Sequence, residues 1–307
     1  MLKNAIKKIA GLILILIILS FLVFLLMYIA PGDPAEKRLT SQGVVVTKEV
    51  LDTERERLGL LKPFFVRYGE WLMAVLRGDF GVSFKDDLPV APKLWSALKK
   101  TLVLSSLSLI LSLMVSYPLA LLAALKRNKI SDHVIRLFSF VGNALPNFLI
   151  SVLLMYLFCI KLNLFSVIAT GDIKGLIMPV LSLSIPMSAK FIRQMRNDFI
   201  KELDEEYITG MHGRGVKERY IILNVIRNTL GYTFIIIALQ IGSLMGGSVV
   251  IETIFRWPGI GNLVMESINS RDYPVIMGFV LIMGTIYVLI NQLSDIVARQ
   301  LDPRKSV

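Results

Sequence analysis

The 307 residues are 54% apolar and only 19% charged, with a mean hydropathy of +0.65. A soluble domain of that balance would lack the polar surface to stay in water, so the bilayer is the expected solvent. The net charge of +11 fits the basic excess that membrane proteins carry on cytoplasmic loops, and no basic stripe interleaved with aromatics points to nucleic acid.

A hydrocarbon core about 30 Å thick needs roughly 20 apolar residues in a helix. Residues 9–30 meet that length behind Lys3, Lys7 and Lys8. The run is longer than the ~7–15-residue core of a signal peptide, and no small-x-small cleavage site precedes Pro31, so a retained first membrane helix is expected. Pro31-Gly32-Asp33-Pro34 then turns the chain into an extracytoplasmic segment, 31–100. Within it, residues 47–58 have helical spacing with mixed charge, and Phe64, Tyr68, Trp71, Leu72 and Leu76 recur on one helical face. That stripe suits either packing on the chain's own helices or docking of a partner.

Further spans are expected at 101–125, 137–160, 175–189, 229–251 and 275–293. The run 175–189 is the weakest, being short and interrupted by Pro179 and Pro186, with a charged continuation from Lys190 that should extend into the cytoplasm. The fold class read from this pattern is all-α, with six transmembrane helices and both termini cytoplasmic. It places Lys126, Arg127, Lys129, Arg193, Arg196, Arg214, Lys217, Arg219, Arg227, Arg299, Arg304 and Lys305 on one side, as the positive-inside rule requires. The expected division is a first helix 1–30, the external segment 31–100, a core membrane domain 101–299 containing a cytoplasmic connection 193–228, and a tail 300–307.

Polar groups within spans are expensive and face a cavity or another helix. Asn143, Asn147, Gln240 and Ser243 are candidates for a translocation pathway, with Glu252 near its outer end and Pro146 as a kink; each suits interhelical hydrogen bonding as well. Gly242 and Gly246 form a small-xxx-small face for close helix packing. The connection Glu205 to Arg219 reads as a short helix with acidic residues at its start, a glycine elbow at Gly213 and Gly215, and a second, basic helix. It can serve as a rigid lever or as an ordinary amphipathic loop.

Catalytic and metal chemistry find little footing. The sole cysteine, Cys159, permits no disulfide within the chain, and His133 and His212 belong to no cluster with metal-ligand spacing. No Gly-x-x-x-x-Gly-Lys-Ser/Thr loop occurs, so any energy source must be borrowed. A membrane-embedded enzyme would need paired acids, a histidine cluster or an activated serine in the membrane, and none is evident.

Glu206-Tyr207, Gly215 eight positions on, and Arg227-Asn228 resemble the EAA loop of binding-protein-dependent importer permeases. Around them Pro31-Gly32-Asp33-Pro34, Leu58-Gly59-Leu60, Gly78-Asp79-Phe80-Gly81, Trp257-Pro258-Gly259-Ile260-Gly261, Asp272-Tyr273-Pro274-Val275 and Leu301-Asp302-Pro303-Arg304 resemble the first permease subunit of dipeptide, oligopeptide and nickel importers. The resemblance spans essentially the whole chain and implies a type I ABC importer permease in the bacterial inner membrane. It further implies a coupling helix, carried on Glu206, Tyr207, Gly210, Arg214 and Gly215, that docks on an ATPase. The implied partners are a second homologous permease, two cytoplasmic ATPase subunits that use ATP, and an extracytoplasmic substrate-binding protein, with no cofactor or metal bound by this chain. Gly210-Met211 departs from the Thr-Ala or Ala-Ala usual in the family, which loosens that helix. Leu145-Pro146-Asn147-Phe148, Tyr68-Gly69 with Trp71-Leu72, and Met245-Gly246-Gly247 leading to Glu252 look more like nickel importers, with peptide importers as the alternative.

Overall fold

The computed structural model describes residues 2–169 and 171–301, with side chains for 10–169 and 171–293. The side chains of Lys3, Lys7, Lys8 and Arg299, and residues 302–307 with Arg304 and Lys305, lie outside the described residues.

Among the described residues the regular structure is helical, with one isolated antiparallel bridge between Val82 and Pro89. In chain order the helices are α1 (Leu2–Ile29), α2 (Pro34–Ser41), α3 (Lys48–Arg57), α4 (Phe64–Leu76), α5 (Val90–Leu125), α6 (Ile130–Ala144), α7 (Asn147–Leu154), α8 (Ile173–Leu203), α9 (Glu206–Gly213), α10 (Glu218–Phe255), α11 (Ile260–Ser270) and α12 (Tyr273–Leu301). A π-helical stretch, Met155–Lys161, continues α7. Among the described residues five helices, α1, α5, α8, α10 and α12, are long and apolar enough to cross a membrane, and α6 with α7 makes a sixth span if the pair is counted as one.

That pair occupies the span expected at 137–160, with the kink expected at Pro146 enlarged into a full break. It bends by 102° at Leu145-Pro146. Pro146 has no N–H for the helical ladder and forces the residue before it into extended backbone, seen as ψ 133° at Leu145. α8 behaves in the opposite way. It runs 31 residues through Pro179 and Pro186. Membrane helices accept proline where neighbouring helices re-satisfy the backbone, and 67% of the apolar window of α8 is buried. The segment that looked weakest in the sequence is therefore a long, well-buried helix, and its charged continuation past Lys190 stays helical to Leu203.

The contacts divide the chain into two compact units. The first joins the residues up to Thr101 with Pro258–Leu289. Asp272, only 2% exposed, accepts hydrogen bonds from Ser83 Oγ at 2.5 Å and from the Phe84 N–H at 2.9 Å. The Ile260 N–H donates to Thr101 Oγ1 at 2.8 Å. Arg271 donates to the Pro31 carbonyl, and Gly32, at φ 103°, leaves the space its guanidinium fills. Gly278 gives α12 the same close approach to Leu94. The 31–100 segment is thus fastened to α11 and the start of α12 rather than standing alone.

Within this unit the stripe on α4 meets α1. The Phe64 ring packs edge-on against Phe21, Phe24 and Tyr28, and Tyr68 against Phe21 and Phe24, while Tyr68 Oη and Ser20 Oγ share a hydrogen bond at 3.0 Å. Leu76, expected on that face, is instead exposed. Arg38, 9% exposed, donates to the Phe84 carbonyl at 2.6 Å and pairs with Asp87 and with Glu54. The Arg38 guanidinium, with Arg57 beside it, holds the Asp87 carboxyl down at about 2.

The second unit, Leu102–Trp257 with residues from Ile290 on, is built on α8. Phe191, Met195 and Phe199 are buried with Ile221 and Val225 of α10. Against α5, α8 makes a serine seam. Ser184 Oγ donates to the Ser108 carbonyl and Ser112 Oγ to the Ser184 carbonyl, each at 3.2 Å, and Ser188 Oγ reaches the Ser112 carbonyl at 3.5 Å. Small hydroxyl residues let backbones approach and bond across the seam where hydrocarbon offers no driving force.

Two expectations follow. Ser184→Leu should wedge α5 from α8 and lower stability by about 1–3 kcal/mol, against about 0.6 kcal/mol or less for Ser184→Ala; thermal scans in detergent test this, and an unchanged midpoint for the leucine variant would deny the seam its role. Asp87, with its pKa depressed to about 2, stabilises the outer segment above its unfolded value near ~3.9, and that contribution fades as pH falls through about 2. Pepsin should therefore cleave Asp87→Asn faster than the unchanged chain at pH ~4, with the difference vanishing toward the depressed value. Asparagine tolerates the φ of 58° found there.

Candidate functional site

The connection between α8 and α10 folds as the sequence pattern requires. Glu205, in extended backbone, precedes α9, and the helix carries Glu206 in its first turn. Its end is a Schellman turn: Gly215, at φ 71°, donates its N–H to the His212 carbonyl at 3.0 Å, and Val216 donates to the Met211 carbonyl at 3.1 Å. The inner side of α9 is apolar. Ile208 is 3% exposed, and Met211 and Val216 pack against the same core as Leu203 and Ile200. The outer side presents Glu206, Tyr207, Gly210 and Arg214 to solvent. Gly210 sits mid-helix with no neighbour near its missing Cβ, so the helix forms despite it.

A polar knot fixes α9 to both long helices. Tyr207 Oη donates to Glu202 Oε1 on α8 at 2.5 Å, and Asn228 Nδ2 on α10 donates to the same carboxylate oxygen at 2.8 Å and to Tyr207 Oη at 3.1 Å. Burial, reinforced by the Glu202 carboxylate, pushes the Tyr207 phenol up to about 12. The hydroxyl stays a donor at every physiological pH. Nearby, Arg127 pairs with Asp204 at 3.0 Å, and fully buried Asp132 takes a two-pronged grip from Arg196 of α8 at 2.7 and 2.8 Å. Neither Glu202 nor Asp132 is marked by the sequence, because a carboxylate near a basic loop carries no local signal of which cation it meets.

The intramembrane candidates divide. Asn147, Gln240 and Ser243 come together around a cavity of about 90 Å³, with Gly247, Pro186 and Lys190 also lining it. Ser243 Oγ donates to the Gln240 side-chain oxygen at 3.0 Å. The 102° break at Pro146 is what places Asn147 there, in the first turn of α7. Asn143, on the other side of the break, lines a different cavity of about 330 Å³ with Arg136, Arg193, Arg196 and Asn197. Glu252 is fully buried near the end of α10 and lines neither cavity. Gly246 meets no heavy atom within 4 Å of a would-be Cβ, so the chain itself packs nothing on it; close approach is used at Gly142, where a Cβ would lie 3.0 Å from that of Ala189. Gly242 is half-buried on α10. Among the described residues no group of three or more His, Cys, Asp or Glu side chains could hold a metal ion.

Comparison with known proteins gives this geometry its context. The family model described as binding-protein-dependent transport system inner membrane component matches residues 116–307, and the N-terminal model of such membrane components matches 1–105. The chain is 36% identical over 304 residues to the nickel import system permease protein NikB of Staphylococcus aureus (strain bovine RF122 / ET3-1), covering 99% of this chain and 92% of that protein. It is 34% identical over 305 residues to the metal-staphylopine import system permease protein CntB of Staphylococcus aureus (strain NCTC 8325 / PS 47), covering 99% and 98%. With its apolar spans and its helix–elbow–helix connection, the chain belongs to the binding-protein-dependent transport system inner membrane components, as a multi-pass permease subunit of the cell membrane.

Proposed function

We propose that this permease forms half of the pathway by which nickel or a nickel chelate enters the cell. The other half is a second homologous permease; two cytoplasmic ATPase subunits bind and hydrolyse ATP; and an extracytoplasmic binding protein delivers the cargo. This chain binds no cofactor of its own. The observation that carries the reading is α9, a short helix with a solvent-facing side, an apolar inner side and a polar knot to α8 and α10. Such a helix passes a push at its outer side directly into two long helices. The nickel cargo rests on the relatives, one a nickel import permease and one a metal-staphylopine import permease. Di- or oligopeptide import by the same architecture is the competing reading, favoured by a cavity lined with amides and a hydroxyl rather than with metal ligands.

The mechanism is alternating access. ATP-driven closure of the ATPase pair shifts the population between inward- and outward-open states, because each state has different contacts with the partners. Glu206, Tyr207, Gly210 and Arg214 form the docking side of α9; Gly215 sets the elbow; Asn147, Gln240 and Ser243 line the passage.

Gly215→Pro should abolish transport and transport-coupled ATP hydrolysis in the reconstituted assembly while leaving membrane insertion intact. Proline cannot adopt the φ of 71° and has no N–H for the His212 carbonyl. Normal coupled hydrolysis in that variant would refute the lever. For the cargo, a strain lacking this chain should lose activity of its nickel-dependent enzymes in nickel-poor medium and keep growing on peptides as sole amino-acid source. The reverse phenotype would assign the permease to peptides.

A further inference from the structure

The bend at Pro146 encloses an apolar cleft of about 660 Å³. Val115 of α5, Phe138 and Val141 of α6, Leu153 of α7, and Leu181 and Ile185 of α8 form its walls. The polar side chains that line it are three serines, and their hydroxyls are already engaged. Ser139 Oγ donates to the Ile135 carbonyl at 2.8 Å, Ser184 Oγ to the Val180 carbonyl at 2.6 Å, and Ser188 Oγ reaches the Ser112 carbonyl at 3.5 Å. A trapped water needs at least two polar partners, so water finds no hold there. Phe138, Val141 and Leu153 are exposed along the cleft, and in a multi-pass membrane chain an open apolar wall of this kind meets hydrocarbon.

One end of the cleft is basic. Ser139 and Ile192 line it and also line the cavity of about 330 Å³ that holds Arg136, Arg193, Arg196, Asn143 and Asn197, so the two spaces adjoin. No carboxylate lines either one. Arg196 and Arg136 share Asp132, at 2.7 and 3.6 Å, whereas Arg193 is exposed and its side chain makes no ion pair or hydrogen bond among the described residues. Three guanidiniums against one carboxylate leave positive charge in excess at the cytoplasmic end of α8. The apolar part of the cleft extends along α8 from Leu181 to Ile192, about 16 Å of helix, which is about half of a ~30 Å hydrocarbon core. That is the depth of one leaflet, with the arginines at the level of its headgroups.

We infer that the cleft and the basic cavity together bind an anionic phospholipid of the inner leaflet, with an acyl chain in the cleft and the phosphate at Arg193, Arg136 and Asn197. Guanidinium and amide donors suit phosphate oxygens, and basic pockets between membrane helices on the cytoplasmic side take anionic headgroups. A helix of a second permease is the competing occupant. The same length of helix, about 10 Å across, fills ~1,200 Å³, nearly twice the cleft, and it brings no phosphate to Arg193. The lipid lies in the angle between α6 and α7, so an occupied cleft braces the break that sets Asn147 in the first turn of α7.

The test uses the assembled importer in phosphatidylcholine nanodiscs that contain phosphatidylglycerol as a minor component of known mole fraction. Phe138→benzoylphenylalanine places a photoreactive group in the cleft, and mass spectrometry reads what it captures. Phosphatidylglycerol should be enriched about five-fold or more over its mole fraction, the factor expected of one basic side chain at an anionic headgroup. Arg193→Gln should lower that enrichment about five-fold, and Arg193→Lys should keep most of it. The same photoreactive group at Met114, an exposed residue of α5 that lines neither cavity, should capture the two lipids close to their mole fractions. Should the glutamine variant fail to assemble, the unchanged chain answers the question in salt of about 1 M, where the attraction to exposed Arg193 is screened and the enrichment should collapse. Capture at the mole fraction, equal enrichment at Met114, an enrichment indifferent to both Arg193 and salt, or an adduct with a second permease in place of lipid each overturns the inference.

Discussion

Hydrocarbon offers no hydrogen-bond partner, so each backbone N–H and C=O in a span must be satisfied by its own helix, by a neighbour or by trapped water. The serine seam between α5 and α8 obeys this constraint with the smallest means available, since each hydroxyl bonds a carbonyl across the seam or within its own helix. The break at Leu145-Pro146 is where the ladder is interrupted outright. It falls beside polar cavities, and irregular backbone at membrane depth is tolerated where it lines such a space.

α8 gathers the consequences. From its outer part to its cytoplasmic end it carries the seam serines, Lys190 beside Asn147 and Gln240, Arg196 clamped to Asp132, and Glu202 in the knot with Tyr207 and Asn228. Lys190 and Glu202 are twelve residues apart, about 18 Å along a rigid rod. A displacement of α9 has no soft joint to dissipate in before it reaches the cavity, because the knot bonds α9 to α8 directly and Ile208 is locked in the core beneath. The prolines in α8 leave it continuous, since its deep burial against α5, α6, α7 and α10 supplies the support that Pro146, in an exposed turn, lacks.

Much of this was legible in residue order, and the failures have physical causes. The presence of spans in α1, α5, α10 and α12 followed from hydropathy, although α5 begins at Val90 and α10 at Glu218, ahead of the apolar runs, and the turn at Gly215 followed from glycine's freedom at positive φ. The bend at Pro146 was underestimated because a continuous apolar run hides a backbone break. α8 was undervalued for the opposite reason: proline and charge lower a hydropathy average, yet tertiary burial decides. The serines of α5 recur as Ser105, Ser108, Ser112 and Ser116, a helical spacing that was available as a signal but weak beside the surrounding leucines. Of the polar candidates, Asn147, Gln240 and Ser243 converge, while Asn143 is parted from them by the break and Glu252 is turned into the core. No periodicity argument could separate these cases, since they depend on which helices meet.

The outer segment shows how a charged stretch becomes part of a membrane protein. Arg38 is nearly buried, and a buried guanidinium needs several acceptors to offset its lost hydration. It finds them in Glu54 of α3 and in Asp87 and the Phe84 carbonyl of the turn before α5, two separate stretches of chain. Phe84 in turn gives its N–H to Asp272, whose other oxygen holds Ser83. One turn of backbone thus serves both charges, so α2, α3 and the loop before α5 are positioned by the same residues that fasten the start of α12. Loosening Asp272 would free the Phe84 turn and with it an acceptor that Arg38 requires. The outer segment and the last span are for that reason a single electrostatic construction, although about 190 residues of chain lie between Phe84 and Asp272.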